Sequence, residues 1–252
     1  MIRVPSGIAG FDDLIQGGFP LGTNILLLGA PMTGKSTMAM QFLYTGLRLG
    51  NAGIFISTNE TAEDVRERMA SFGWDTKPFE QEGTIKYVDC YGMMVDSKLK
   101  DTPYIKRVPS ILAFTSMSVA LSELCGHFWK LQKIIRIVFD SVSPLLMYTN
   151  PEAVTRFLHV LLGRFKRVNA VSILTLEEGM HQRTVETTLQ QLSDGTLKLT
   201  RKDGERFISC LGLAATKCTE EEIPFEITDN GLEVKLKESS QVKKDAHVRW
   251  QR

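Results

Sequence analysis

Short apolar runs alternate along the chain with longer stretches in which apolar residues recur at helical spacing. The short runs predict strands at residues 24–28, 53–57, 85–88, 134–139 and 171–176. The longer stretches predict helices at residues 36–49, 61–72, 111–131 and 151–168. Residues 90–109 lose this periodicity and contain two prolines, so we expect a long loop there. This alternation is typical of a mainly parallel sheet with helices on both faces.

The pattern changes after Gly195 to short strands separated by turns. They are predicted at residues 196–200, 206–211, 225–228 and 232–236, as an antiparallel extension of the sheet. A chain of 252 residues with 43% hydrophobic residues can bury one sizeable core. We therefore expect one α/β domain at residues 1–237, followed by a polar C-terminal tail at residues 238–252 that frays.

Residues 29–37, which we call the phosphate loop, read GAPMTGKST and fit the pattern G-x-x-x-x-G-K-[ST] between a strand and a helix. The two glycines let the backbone turn so that N–H groups point at phosphate oxygens. Lys35 is expected to reach the β- and γ-phosphates, and the Ser36 hydroxyl to ligate Mg²⁺. The predicted cofactor is ATP or ADP with Mg²⁺, held by Gly29, Pro31, Met32, Thr33, Gly34, Lys35, Ser36 and Thr37.

Asp140 ends the apolar strand KIIRIVFD. A carboxylate at the carboxyl end of such a strand can hold Mg²⁺ directly or through its water shell, which is the Walker B role. We therefore predict Asp140 as a nucleotide-site residue that shares the metal with Ser36. The alternative is that Asp140 or Ser141 caps a turn.

Six ordered segments resemble the KaiC-like branch of the RecA/RadA superfamily of P-loop ATPases. They are SGIAGFDDLIQGGFPLG near the N-terminus, the phosphate loop with its helix, ASFGWD at 70–75, FDSVSPL at 139–145, LSDGTLKL at 192–199 and PFEITDNG at 224–231. The resemblance implies a RecA-like fold that assembles into a homo-oligomer, usually a hexameric ring, with ATP between neighbouring subunits.

The same resemblance implies further nucleotide contacts. Ser71 matches a nucleotide-contacting position, and Thr228 with Asp229 match a pair that approaches the nucleotide from the adjacent subunit. Local alternatives stay open for all three residues. Ser71 can cap a turn, and residues 228–231 (TDNG) form a good hairpin turn by themselves.

Two consecutive glutamates at the end of the second strand orient the attacking water in this family. Here Asn59 stands at the first position, and Glu60 alone remains as the candidate catalytic residue. An amide cannot accept a proton near neutral pH, although it can hydrogen-bond to water. The substitution therefore predicts a slow chemical step.

In this family a Lys and an Arg of one subunit also reach across the interface to the γ-phosphate bound by its neighbour. Those positions align here with Gly212 and Ala214, and Lys217 is a nearby cation that could compensate. Met32 is a smaller departure, since Gly is usual there. Because these changes remove groups aimed at the γ-phosphate but keep those that hold phosphate and metal, we expect at most a slow Mg²⁺-dependent ATPase.

The resulting prediction is an ATP-binding switch for assembly or signalling with an unidentified protein partner. The alternatives are a RecA/RadA-related DNA-binding ATPase in recombination or repair and, less favoured, self-phosphorylation. A formal charge of +1 provides no global attraction to nucleic acid. The separated cysteines and the lack of a signal peptide or a spanning apolar run predict a cytoplasmic protein without membrane insertion.

One further pair of acids is a candidate part of the site. Glu177 and Glu178 directly follow the predicted strand at residues 171–176, and they could sense the γ-phosphate there.

Overall fold

The computed structural model describes residues 1–235, so the whole of the predicted tail at residues 238–252 lies outside the described residues. Its strands are β1 (Arg3–Val4), β2 (Phe19–Pro20), β3 (Asn24–Gly29), β4 (Ala52–Ser57), β5 (Ile85–Asp89), β6 (Ile105–Arg107), β7 (Ile135–Asp140), β8 (Val171–Glu177), β9 (Gly195–Lys202), β10 (Glu205–Leu213), β11 (Ile223–Thr228) and β12 (Gly231–Val234). Its helices are α1 (Phe11–Leu14), α2 (Lys35–Arg48), α3 (Ala62–Ser71), α4 (Lys77–Gln81), α5 (Gly92–Val95), α6 (Phe114–Lys130), α7 (Ser143–Tyr148), α8 (Pro151–Arg167) and α9 (Arg183–Leu192).

A ten-stranded sheet in the order β12-β11-β10-β9-β3-β8-β7-β4-β5-β6 organises the protein. The strands from β9 to β6 run parallel, and β10, β11 and β12 extend the sheet in antiparallel fashion. The predicted class, a RecA-like α/β fold with an antiparallel C-terminal extension, is confirmed. This order places the carboxyl ends of β3, β8, β7 and β4 side by side at one end of the sheet, where ligands of such folds bind.

Hydrophobic cores cover both faces of the sheet. Within β3, Ile25 and Leu27 pack into the core beneath α2 and α3, while Leu26 and Leu28 face the core beneath α6 and α8. Alternate side chains of a strand point to opposite faces, so a strand that is buried on both faces must be apolar throughout. This explains why β3, β4, β7 and β8, at the centre of the sheet, are mainly apolar.

The predicted long loop at residues 90–109 is wrong in part. It contains the short helix α5 and the edge strand β6, which pairs in parallel with β5. The Arg107 guanidinium forms ion pairs with Asp89 and Glu63, and these bonds fasten β6 to β5 and α3. A three-residue strand is too short to show periodicity, which is why the pattern did not predict it.

A buried arginine connects the N-terminal segment to the helix that follows the phosphate loop. Arg136, on β7, donates to the carbonyl oxygens of Pro5 and Phe42 (both 2.8 Å) and to Oδ1 of Asn51 (2.9 Å). Burial lowers the pKa of Arg136 to about 10. Gly46 leaves the room that this side chain needs, because a Cβ there would lie 2.2 Å from Arg136 Cδ. The start of the chain therefore helps to hold α2 in place.

Candidate nucleotide-binding site

The phosphate loop connects β3 to α2 at the carboxyl edge of the sheet. A Cβ at Gly29 would lie 2.5 Å from the Leu199 carbonyl oxygen, so only glycine fits there. Gly34 has a φ of 110°, in the left-handed region that favours glycine. Met32 adopts a φ of 66° and is exposed at the tip of the loop beside Pro31, which is also exposed. The loop conformation thus depends on its two glycines.

In the part of the chain that the structure describes, several backbone N–H groups of the phosphate loop are free to bind a ligand. Within residues 1–235, the N–H groups of residues 32–37 have no hydrogen-bond acceptor, whereas the N–H of Met38 donates to Gly34 O. The buried Thr33 hydroxyl donates to Ala30 O (2.8 Å) and so stabilises the turn. Unpaired N–H groups at the start of a helix of 14 residues attract an anion, and this arrangement fits a polyphosphate.

Lys35 is buried at the base of the loop with all three of its N–H groups engaged. Its Nζ lies 2.8 Å from the carbonyl oxygens of Gly29 and Ala30 and 2.8 Å from Glu177 Oε2. The two carbonyls belong to the loop itself, but Glu177 is a side chain that can move. A phosphate oxygen that binds Lys35 must therefore displace the Glu177 carboxylate.

Hydroxyl and carboxylate oxygens that suit Mg²⁺ occur beside the loop. Ser36 and Thr37 are half-buried in the first turn of α2. Asp140 ends β7, and its Oδ1 accepts a hydrogen bond from Thr175 Oγ1 (2.6 Å). Mg²⁺ is usually held by one or two protein oxygens together with phosphate and water, so Ser36 and Asp140 could hold it here.

The ends of β4 and β7 are joined beyond their ladder. The N–H of Thr58 donates to Asp140 O (3.1 Å), and the Thr58 hydroxyl donates to Ser141 O (2.7 Å) and accepts from Ser141 N (2.8 Å). This pairing sets the start of the following segment beside Asp140. Glu60, two residues after Thr58, consequently lies close to the candidate metal ligand.

Glu60 and Asp140, together with Arg68, form what we call the carboxylate corner. Arg68 Nη2 donates to Glu60 Oε1 and lies 3.5 Å from Asp140 Oδ2. Burial raises the pKa of Glu60 to about 7, and the Arg68 charge opposes that rise. Asn59 is exposed, whereas Glu60 is half-buried. The sequence did not reveal the role of Arg68 in this cluster.

The residues predicted to contact the nucleotide from other segments make local hydrogen bonds. The Ser71 hydroxyl donates to Arg68 O (2.8 Å) at the end of α3. The Thr228 hydroxyl donates to Gly231 O (3.1 Å) across the β11–β12 turn, where Asp229 is exposed. These bonds fit the turn-forming alternatives, and nucleotide contact by Ser71, Thr228 and Asp229 stays a prediction.

A buried glutamine that the sequence did not single out connects three segments near the loop. Gln41 Nε2 donates to Gly7 O (2.8 Å) and to Leu232 O (3.1 Å), and its Oε1 accepts from Leu232 N (2.6 Å). It therefore joins the N-terminal segment, α2 and the C-terminal hairpin. An isolated polar residue on the apolar face of α2 was the available signal.

Gly212 and Ala214 lie at the opposite end of the sheet from the phosphate loop, where the parallel strands begin. The neighbouring Leu213 pairs with Gly195, and Gly195 pairs with Ile25 near the start of β3. Strand β3 then runs on for roughly 13 Å to Gly29. The Gly212 end of β10 is therefore remote from the phosphate loop of its own chain.

Comparison with known proteins gives one consistent match. The family model described as the ATPase KaiC matches residues 4–239. A UPF0273 protein of Aeropyrum pernix is 31% identical over 237 residues, which cover 91% of this chain and 92% of that protein. The circadian clock oscillator protein KaiC of Parathermosynechococcus lividus is 29% identical over 91% of this chain, but only 41% of that longer protein is covered.

A solved structure agrees with these sequence matches. The crystal structure of a KaiC-like protein from Pyrococcus horikoshii OT3 superposes with a TM-score of 0.77 at 30% identity. The alignment covers 93% of this chain and 99% of that chain. Separately, among the helices of residues 1–235 none combines the length and the apolar character needed to cross a lipid bilayer.

Proposed function

Because the chain belongs to the KaiC family of ATPases, we propose that it works as an ATP-dependent assembly or signalling switch that hydrolyses ATP slowly. Membership of this family implies nucleotide binding. The finer proposal is that ATP with Mg²⁺ binds at the phosphate loop between subunits of a hexameric ring. Bound ATP then stabilises the ring or a surface for a protein partner.

The carrying observation is the contrast between the parts of the site that hold phosphate and those that would promote its transfer. The phosphate loop keeps both glycines, its unpaired N–H groups and a buried lysine. The carboxylate corner contains Glu60, but the residue before it, Asn59, is an exposed amide. Since phosphoryl transfer depends on positioning and charge stabilisation, this contrast supports tight binding with slow turnover.

In an assembled ring, the end of β10 near Gly212 and Ala214 would face a neighbouring subunit. Gly212 and Ala214 can approach only a nucleotide that is bound to another copy, because they are far from their own phosphate loop. Glycine has no side chain and alanine has only a methyl group, so a neighbour supplies no cation from these two positions. Mg²⁺, held by Ser36 and Asp140, would neutralise part of the charge on the β- and γ-phosphates.

The proposal is tested by measuring molar mass in solution with and without ATP and Mg²⁺. We expect ATP to shift the wild type toward the hexamer and Lys35→Ala to abolish the shift. Lys202→Ala removes an exposed lysine that pairs with Glu222 and serves as the control. A molar mass that is the same with and without ATP would contradict the switch. An ATP turnover well above about one per second would contradict it as well, given ordinary enzyme rates. Salt-sensitive, ATP-dependent binding of an oligonucleotide would favour the DNA-binding alternative instead.

A further inference from the structure

Arg68 is the cation of the carboxylate corner. It lies in the last turn of α3, donates to Glu60 Oε1 and approaches Asp140 Oδ2 at 3.5 Å. In residues 1–235 no other Lys or Arg forms an ion pair with either of these acids. Arg68 is therefore placed to control where the Glu60 carboxylate points.

The helix that carries Arg68 is anchored at its other end. Thr61 and Asp64 form a reciprocal capping box, in which Thr61 Oγ1 accepts from Asp64 N (3.1 Å) and Asp64 Oδ2 accepts from Thr61 N (3.1 Å). The N–H of Ala62 donates to Asp89 at the end of β5 (3.3 Å). Because α3 is fastened to the sheet, the guanidinium is presented from a rigid element rather than from a loop.

The charges of the corner favour a positioning role for Arg68. The side chains of Glu60 and Asp140 are only 24% and 7% exposed, so two close carboxylates repel each other there with little screening. Asp140 is held by Thr175, but the hydrogen bonds of the described residues tie the Glu60 carboxylate only to Arg68. Without Arg68, the repulsion would be relieved when Glu60 takes up a proton or turns toward solvent, and either change removes its carboxylate from the place beside Asp140.

We propose that Arg68 is a positioning residue for ATP hydrolysis, which holds Glu60 beside Asp140 so that Glu60 can orient water. The inference rests on the proposed nucleotide site. In hydrolysis, a water oxygen bonds to the γ-phosphorus while the bond to the ADP oxygen breaks, and the water proton passes to a carboxylate. With an amide at position 59, Glu60 is the carboxylate of this segment that faces Asp140, so its orientation limits the rate.

Arg66 supplies a matched comparison on the same helix. Its guanidinium binds Glu80 through two hydrogen bonds (2.7 and 2.9 Å) and so connects α3 to α4, without contacting Glu60 or Asp140. An arginine that acts only as structural support should behave like Arg66 when substituted. An arginine that positions Glu60 should lose its effect once Glu60 is gone.

The experiment compares wild type, Arg68→Gln, Arg68→Lys, Glu60→Gln, the double variant Arg68→Gln/Glu60→Gln and Arg66→Gln. Single-turnover hydrolysis of labelled ATP gives the chemical rate, and calorimetry gives the affinity for ADP with Mg²⁺. A third readout is the affinity for ADP with aluminium fluoride, which mimics the transferring phosphoryl group and needs no turnover. Circular dichroism establishes that each variant is folded.

We expect Arg68→Gln to slow hydrolysis by about 10- to 100-fold and to weaken the aluminium fluoride complex similarly, with ADP affinity changed less than about threefold. The double variant should match Glu60→Gln alone, because Arg68 acts through Glu60. Arg68→Lys should recover part of the loss, since it keeps the charge but not the fork geometry. Arg66→Gln should leave the rate and both affinities unchanged.

Additive losses in the double variant would overturn the inference, because Arg68 would then act independently of Glu60. Equal losses of ADP affinity and rate, or an unchanged rate in Arg68→Gln, would overturn it as well. A wild type that binds ATP but neither hydrolyses it nor forms the aluminium fluoride complex would sink this inference and leave the proposed switch standing. A wild type that binds no nucleotide would contradict both the role of Arg68 and the proposed switch.

Discussion

The phosphate loop and the carboxylate corner lie at the same edge of the sheet but are built from different groups. The loop presents backbone N–H groups, shaped by Gly29 and Gly34, with one buried lysine. The corner relies on the side chains of Glu60, Arg68 and Asp140, which come from α3 and from the ends of β4 and β7. One half is made of main chain, and the other of charged side chains.

This difference explains how binding and hydrolysis can change separately. Every residue except proline carries an N–H group, so substitutions in the loop outside Gly29, Gly34 and Lys35 leave most of its anion-binding groups in place. In the corner, a single substitution of Glu60, Arg68 or Asp140 would remove a charge, and the neighbouring position 59 already carries an uncharged amide. A chain can therefore keep a nucleotide as a structural signal while it loses the ability to consume it quickly.

The sharpest test of the separation is Glu60→Gln. We expect the single-turnover rate of ATP hydrolysis to fall by about 100-fold or more, since a positioned general base contributes at least that much. Nucleotide affinity should change by less than about threefold, because uniform binding is left intact. An equal change in rate and affinity would show that the corner also holds the nucleotide.

Lys35→Ala tests the contribution of the phosphate loop to nucleotide binding. Hydrogen bonds to charged groups contribute about 1.5–3 kcal/mol, so the Kd for ATP should rise by about 10- to 100-fold. Calorimetry with Mg²⁺ measures this change, and Lys202→Ala is the control because its lysine lies on the surface. An unchanged Kd would mean that phosphate binds somewhere else.

Asn59→Glu should add a second carboxylate beside the corner and speed hydrolysis. A second carboxylate next to Glu60 is expected to increase the hydrolysis rate by about tenfold, at the low end of general-base effects. Asn59→Gln keeps the amide and should give no increase. If the glutamate variant is no faster than wild type, the amide at this position is not what slows the reaction.

The smallest expected effect concerns Glu177, whose carboxylate accepts a hydrogen bond from Lys35 and which we expect to compete with phosphate for that lysine. Glu177→Gln removes a negative charge beside the site and should tighten ATP binding by about threefold, in line with the modest strength of partly exposed ion pairs. Glu178→Gln is the matched control, because Glu178 pairs with Lys198 instead. Weaker binding in Glu177→Gln would mean that this carboxylate supports the nucleotide site.

Features that depend on neighbours along the chain were predictable, and those that depend on tertiary contacts were not. The strands around the phosphate loop and the loop itself were readable because apolar runs, Gly29, Gly34 and Lys35 lie within one continuous segment. The edge strand β6 was too short to give a pattern. Arg68 was missed because its position near Asp140 arises only when β4 and β7 pair across a long sequence separation.

The central claim is that this chain holds ATP more readily than it hydrolyses it. Calorimetric titration of the wild type with ATP and Mg²⁺, followed by analysis of the nucleotide recovered from the same sample, tests it directly. We predict saturable binding at one site per chain and a turnover below about one per second. Absence of binding heat from folded protein, or rapid conversion of the bound ATP to ADP, would contradict the account.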